Sequence, residues 1–167
     1  MEFSIQLLVF LFIAAAIASF MDTLAGGGGL ITIPALIVAG VPPLAALGTN
    51  KLQSSMGSGT ASFLLLRRKK IFWKDVKPLM LMAFTGSVAG SIIVQFVNTD
   101  ALEIIIPLVL LLIAVYFISA PYFQITTSQP RLSSHAYKNT AIPLIGAYDG
   151  MFGPGTGSFF AAAGVSL

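Results

Sequence analysis

The chain of 167 residues contains no cysteine, a single histidine and few charged side chains. Without cysteine, disulfides, thiolate catalysis and cysteine metal sites are excluded. The lone His135 lies in a polar stretch, so a histidine metal cluster is excluded too, and neither a metal nor a cofactor is expected. Charged residues make up 9% of the chain, against about a quarter of an ordinary soluble domain. With 56% hydrophobic residues, the composition predicts a membrane protein.

The basic residues are concentrated in one place. Six of the nine lie between Arg67 and Lys77, flanked by apolar stretches. Nucleic-acid binding would need a basic face with stacking aromatic residues on a polar domain, so no nucleic-acid partner is expected. Lys and Arg beside membrane spans collect on the cytoplasmic side. Residues 67–77 and a polar linker at 124–140 are therefore predicted to be cytoplasmic loops.

Long apolar stretches predict an all-α, polytopic transmembrane protein. A membrane-spanning helix needs about 20 mostly apolar residues, each rising about 1.5 Å. The predicted spans are residues 3–24, 44–66, 79–97 and 101–123. The first follows Glu2 without a positive charge and is longer than the core of a secretory signal, so it is interpreted as a retained span. Residues 30–39 are apolar but too short to cross, which predicts a half-helix or re-entrant arm.

Two segments interrupt the apolar stretches with the same pattern, Asp-x-x-x-Gly-x-Gly. The residues of the two copies are Asp22, Gly26, Gly27, Gly28 and Gly29, and Asp149, Gly153 and Gly155. Unpaired backbone groups cost several kcal/mol in hydrocarbon, so a break is tolerated only where protein or a water-filled cavity supplies partners. Paired breaks in corresponding positions of two halves are typical of the central site of a transporter. We therefore expect two broken helices that meet near the middle of the bilayer.

Three ionisable residues lie inside the apolar stretches, namely Asp22, Lys51 and Asp149. A charge at the centre of a membrane helix costs about 2.5–3.5 kcal/mol on insertion scales, so it marks a functional or paired site. The two acids are expected to orient the broken helices or to carry a coupling proton; alternatively they only cap half-helices. Lys51 either binds substrate, pairs with an acid or reaches the membrane interface. The glycines either expose N–H groups to an anion or only permit tight helix packing.

No enzymatic activity is expected. Two carboxylates in a membrane can share a proton, as in aspartyl proteases. The Gly-x-Gly-Asp motif of intramembrane proteases of that class is absent, however, and both acids belong to copies of one motif. The glycine run also lacks the Gly-Lys-Ser/Thr ending of a phosphate-binding loop.

The segment AGGGGLITIPAL at residues 25–36, followed by GTNKLQ at 48–53 and the basic cluster at 67–70, resembles the sulfite exporter TauE/SafE family of membrane permeases. The segment YDGMFGPGTGSF at 148–159 is similar to the second-half motif of that family. The resemblance covers nearly the whole chain. It implies an inner-membrane transporter with two related halves that moves small anions such as sulfite, thiosulfate or organosulfonates.

The chain is predicted to comprise a first repeat (1–123), the polar linker (124–140) and the start of a second repeat (141–167). Because only eighteen residues follow the second acid, we expect the front part of a longer protein. Its partners are expected to be the lipid bilayer and a small anionic substrate, and association into a homo-oligomer stays open. The competing interpretation is a non-transporting membrane scaffold or assembly subunit.

The predicted anion site lies between the two glycine breaks. Backbone N–H groups of the glycines are expected to face the anion. The expected side-chain donors are Asn50, Lys51 and Gln53, and the hydroxyl groups expected along the path belong to Thr32, Thr49 and Thr156.

Overall fold

The computed structural model describes residues 4–119 and 137–165. These residues form seven α-helices, a short π-helical turn at Tyr137–Ala141 and no strand. The helices, numbered in chain order, are α1 (Ile5–Ala25), α2 (Gly29–Val38), α3 (Pro43–Arg67), α4 (Trp73–Gln95), α5 (Thr99–Ser119), α6 (Ile142–Met151) and α7 (Thr156–Val165). The predicted all-α class is thereby confirmed.

Three of the described helices, α1, α4 and α5, are long and apolar enough to cross a bilayer. Helix α3 has 25 residues and is equally long, but its first half carries polar side chains. Helix α2 has only ten residues, as predicted for a half-helix. Many large apolar side chains face outward, including Phe12, Phe96 and Ile104. Such a surface suits lipid and would aggregate in water, so the chain is a multi-pass membrane protein.

The predicted loop at 67–77 is wrong in its second half, because α4 already begins at Trp73 and only residues 68–72 connect it to α3. Hydropathy predicts which residues of a helix lie in the lipid, not where the helix begins or ends. A helix continues into polar residues wherever its backbone hydrogen bonds still form. The first turn of α4 contains Asp75, and a carboxylate there is stabilised by the helix dipole. Of the predicted linker, residues 124–136 lie outside the described ranges, as does the predicted boundary after residue 123.

Helices α4 and α6 pack with their backbones in direct contact, through two glycines on each helix. The four glycines are Gly86, Gly90, Gly146 and Gly150. A Cβ atom added to Gly90 would lie 2.0 Å from the carbonyl oxygen of Ala147, and one added to Gly150 would lie 2.1 Å from that of Ser87. Small residues permit this close approach of helices. The small residues at 86–90 therefore form a packing surface for α6.

A small apolar core ties the helices together around the two breaks. Its buried side chains are Ile33 of α2, Leu47 of α3, Val94 of α4, and Leu102 and Ile106 of α5. Met151 and Phe152, at the end of α6, pack against the same core. The half-helix after the first break and the half-helix before the second break are thus anchored on one cluster.

Candidate functional site

The two glycine breaks lie against each other. Gly26 ends α1 in the left-handed conformation with φ +66°, and its N–H donates to the carbonyl oxygen of Asp22 at 2.8 Å. A Cβ atom on Gly26 would lie 2.4 Å from the Cα atom of Gly157. Likewise, a Cβ atom on Gly29 would lie 2.8 Å from the ring of Pro154. The interruptions, more than a hundred residues apart in sequence, form one junction.

A cavity of about 450 Å³ opens at this junction. Its lining comes from α1, α2, α3, α4, α6, α7 and the second break, and consists of Asp22, Gly26, Gly29, Asn50, Lys51, Ser54, Ser55, Ser58, Ser87, Asp149, Gly153, Thr156, Gly157 and Phe160. Most of these residues are polar or glycine. The structure therefore places a polar pocket among apolar helices.

Lys51 joins the middle of α3 to the second break. Its Nζ atom lies 3.7 Å from Oδ2 of Asp149 and also donates a hydrogen bond to the main-chain oxygen of the same residue. The Lys51 side chain is 27% exposed and that of Asp149 is 41% exposed, so the pair borders the cavity rather than being sealed in the core. An ammonium group has three N–H donors, and Asp149 does not exhaust that capacity.

Asn50 lies between the two breaks with only 4% of its surface exposed. Its Nδ2 atom is 3.1 Å from the position of a Cβ atom on Gly29 and 3.5 Å from that on Gly153. Its Oδ1 atom has no hydrogen-bond partner among the described residues. Buried polar groups are nearly always hydrogen-bonded. An amide oxygen only accepts hydrogen bonds, so the group that Asn50 can offer to an anion is the N–H₂ at Nδ2 and not Oδ1.

The two acids of the repeated motif make different contacts. Oδ1 of Asp22 accepts a hydrogen bond from the backbone N–H of Gly28 at 3.1 Å, just ahead of α2. A helix-orienting role for Asp22 stays a prediction that this contact is consistent with. Asp149, in contrast, faces Lys51. Asp22 thus contacts the backbone just ahead of a half-helix, whereas Asp149 belongs to an ion pair at the cavity.

Three predicted side-chain contributors point elsewhere in the structure. The amide nitrogen of Gln53 donates to the carbonyl oxygen of Ala15 at 2.9 Å and to Oγ of Ser19 at 3.0 Å, both on α1. The exposed Thr49 donates within α3. Buried Thr32 donates to the carbonyl oxygen of Gly28 at 3.2 Å. These contacts tie helices and turns together, and none of the three donors lines the cavity.

The remaining predicted residues divide between the cavity wall and the packing behind it. Those in the wall, besides Asn50 and Lys51, are Gly26, Gly29, Gly153 and Thr156. Gly27, Gly28 and Gly155 are buried outside it. Cβ atoms added to Gly27 and Gly155 would lie 3.6 Å and 3.5 Å from the ring of Phe117. One aromatic side chain of α5 therefore supports both breaks.

Three serines of α3 that were not among the predicted site residues, Ser54, Ser55 and Ser58, also line the cavity. They lie three, four and seven positions after Lys51 and so share one helical face with it, and this spacing is the signal in the sequence that identifies them. Around Gly57, also in α3, nothing in the described part of the chain lies within 4 Å of an added Cβ atom.

Tyr148 also went unassigned by the sequence reasoning. Its hydroxyl donates to the carbonyl oxygen of Pro154 at 2.7 Å, and its ring lies 5.4 Å from that of Phe159. The side chain thus bridges the second break from α6 to α7.

The exposed apolar helices define a multi-pass α-helical membrane protein, in which two adjoining glycine breaks border a cavity lined by polar side chains and glycines. The chain belongs to the family described as sulfite exporter TauE/SafE, which it matches over residues 11–167. This finding agrees with the resemblance carried by the glycine motifs.

Curated relatives are similar over almost all of the chain. A protein of Sinorhizobium sp., named probable membrane transporter protein ORF9, is 46% identical over 99% of the chain and 64% of its own length. A probable membrane transporter protein of Haemophilus influenzae is 41% identical over the whole chain and 66% of its own length. The probable membrane transporter protein YfcA of Escherichia coli K12 is 44% identical over 96% of the chain and 60% of its own length.

The chain accordingly spans between 60% and 66% of the length of these relatives. No solved structure matches it.

Proposed function

We propose that these residues belong to an integral membrane permease that moves small anions, with sulfur oxyanions and organosulfonates as the substrate class. The observation that carries the proposal is the junction of two glycine breaks around a polar cavity that contains Lys51. Support for sulfur chemistry comes from the description of the family. Support for transport comes from the relatives, which are named probable membrane transporter proteins.

The preference for anions follows from the helix ends and from Lys51. The N-terminus of α2 contributes Gly29 to the cavity wall, and the N-terminus of α7 contributes Thr156 and Gly157. The N-terminal end of a helix carries partial positive charge and binds anions. The ammonium group of Lys51 and the carboxamide of Asn50 add donors at the same place. A volume of about 450 Å³ lies within the usual range of small-molecule sites.

The competing scaffold interpretation is less well supported. A scaffold would pack the two breaks dry against neighbouring helices, and the buried polar groups would find their partners within the protein. Instead, the breaks border a cavity, and the buried Oδ1 atom of Asn50 has no hydrogen-bond partner among the described residues. No enzymatic step is part of the proposal.

The proposed orientation follows the positive-inside rule. The basic residues at 67–70 close α3, and Lys74 and Lys77 begin α4. We place this end of both helices at the cytoplasmic face of the inner cell membrane, together with the linker at 124–140.

Anion flux into lipid vesicles tests the proposal. The protein encoded by the complete reading frame that contains these residues is reconstituted into lipid vesicles, and the uptake of sulfite, thiosulfate and methanesulfonate is measured. A hydrogen bond to a charged group contributes about 1.5–3 kcal/mol, so Lys51→Met should lower the flux about 10-fold to 150-fold. The matched control is Lys74→Met, an exposed lysine outside the cavity, which should keep the normal rate.

Two results would count against the permease. One is vesicles that pass none of the three anions faster than protein-free vesicles do. The other is equal flux through the Lys51→Met and Lys74→Met proteins, which would remove Lys51 from the site.

A further inference from the structure

The charges around the cavity do not suit an anion unless something else changes, and this inference rests on the proposed function. The ionisable residues in the described lining are Asp22, Lys51 and Asp149. Among the side chains, two carboxylates and one ammonium leave one net negative charge, and the positive end of α2 is already met by Asp22 through the N–H of Gly28. The other helices that reach the cavity contribute no charge there, and their side chains at the wall include those of Ser87, Thr156 and Phe160. An entering anion therefore needs a compensating positive charge.

Asp22 is a poor place for that charge. Its carboxylate accepts the N–H of Gly28, and a carboxylate at the start of a helix also interacts favourably with the helix dipole. Neutralising it would weaken the start of α2. Asp22 is therefore the less suitable of the two acids to receive a proton during transport.

Asp149 has the opposite properties. Its carboxylate is 41% exposed and borders the cavity, where a proton can reach it. Its charged partner is Lys51, at 3.7 Å. As long as Asp149 is ionised, it holds the ammonium group that an anion requires. One event, protonation of Asp149, removes a repelling charge and releases the attracting one.

We propose that one proton accompanies each univalent anion and binds to the carboxylate of Asp149. The proton comes from the water on the entry side and converts the carboxylate to a neutral carboxyl group. Lys51 keeps all its protons, and its ammonium group turns from the carboxylate of Asp149 to the anion, which Asn50 also contacts; its hydrogen bond to the main-chain oxygen of Asp149 does not depend on the charge of the carboxylate. The added proton and anion cancel, so the net charge of the cavity is the same when it is empty and when it is occupied. On the exit side both leave, and the ion pair forms again.

The test uses the protein encoded by the complete reading frame, reconstituted into lipid vesicles. Methanesulfonate is the transported probe, and a pH-sensitive dye inside the vesicles reports proton uptake. Methanesulfonate keeps a single fixed negative charge across the pH range of the assay, so any proton that moves with it is bound by the protein. The unaltered protein should take up one proton with each anion, and a proton gradient directed into the vesicles should drive accumulation of the anion.

The decisive variant is Asp149→Asn, which places a permanently neutral group beside Lys51. Accumulation driven by a pH gradient should be lost, whereas exchange of internal for external methanesulfonate should continue and no longer depend on pH. Asp149→Glu should restore proton uptake. The matched control, Asp22→Asn, should keep one proton per anion in whatever flux remains.

Several outcomes would overturn the inference. They are proton uptake by Asp149→Asn at the unaltered ratio, loss of coupling in Asp22→Asn alone, and flux that requires sodium and moves no proton. If Asp149→Asn also abolishes exchange, Asp149→Glu decides, because a lost proton ratio in that variant overturns the inference and a kept ratio supports it. An unaltered protein that moves no anion would refute the proposed function itself, whereas anion flux without proton movement refutes only the coupling.

Discussion

Replacing Gly26 by alanine should separate the two breaks at their point of contact. An alanine held at φ +66° costs about 1–2 kcal/mol. Its Cβ atom would lie 2.4 Å from the Cα atom and 2.6 Å from the nitrogen of Gly157. Both are backbone atoms and cannot rotate away, and overpacking of this kind costs about 1–3 kcal/mol. The two effects together predict a loss of about 2–5 kcal/mol in the free energy of unfolding.

The matched control is Gly57→Ala, the same substitution at an open position inside α3. Nothing in the described part of the chain lies within 4 Å of a Cβ atom there, and alanine in a helix interior is about 0.5–1 kcal/mol more favourable than glycine. The two variants should therefore shift stability in opposite directions. Equilibrium unfolding in mixed detergent micelles measures both. If the Gly26→Ala protein proved as stable as the Gly57→Ala protein, the contact between the breaks would be disproved.

Two further substitutions test the packing and the cap by the same unfolding measurement. Gly90→Ala should lower the free energy of unfolding by about 1–3 kcal/mol, because its Cβ atom would lie 2.0 Å from the carbonyl oxygen of Ala147. The control Gly59→Ala, at an open position of α3, should not lower it. Equal effects of the two substitutions would contradict the contact between α4 and α6. Asp22→Ala should cost about 0.5–2 kcal/mol through loss of the cap, and Asp22→Asn less, since its amide oxygen can still accept the N–H of Gly28. A larger cost for Asp22→Asn than for Asp22→Ala would contradict the capping role.

The positions of the helix breaks could be predicted from sequence because their cause is local. Glycine tolerates positive φ, and Gly26, Gly153 and Gly155 indeed have φ values of +66°, +95° and +79°. The start of α4 could not be predicted from hydropathy. The predicted span began at residue 79 because lipid covers the apolar part, but backbone hydrogen bonding extends the helix to Trp73.

The site was predictable only in outline. Lys51 was a candidate because a charge in an apolar span needs a partner, but its partner lies 98 residues away in sequence. Gln53 has the same polar character and sits only two positions further along α3, yet its amide points to α1. Lys51 and Gln53 differ in the direction in which their side chains leave α3. The partner that each side chain finds in that direction depends on which helices pack there.

By itself, the sequence determined that the chain enters a membrane as helices and that two of those helices break at glycine, because hydropathy and backbone freedom are properties of single residues. Tertiary packing alone decided that Gly26 contacts Gly157. It also decided that the two equivalent acids make different contacts, because Asp22 accepts a backbone N–H whereas Asp149 pairs with Lys51. The physical reason is that contacts between distant segments depend on how whole helices fit together. In this chain that fit is set by glycines where backbones touch and by a shared apolar core.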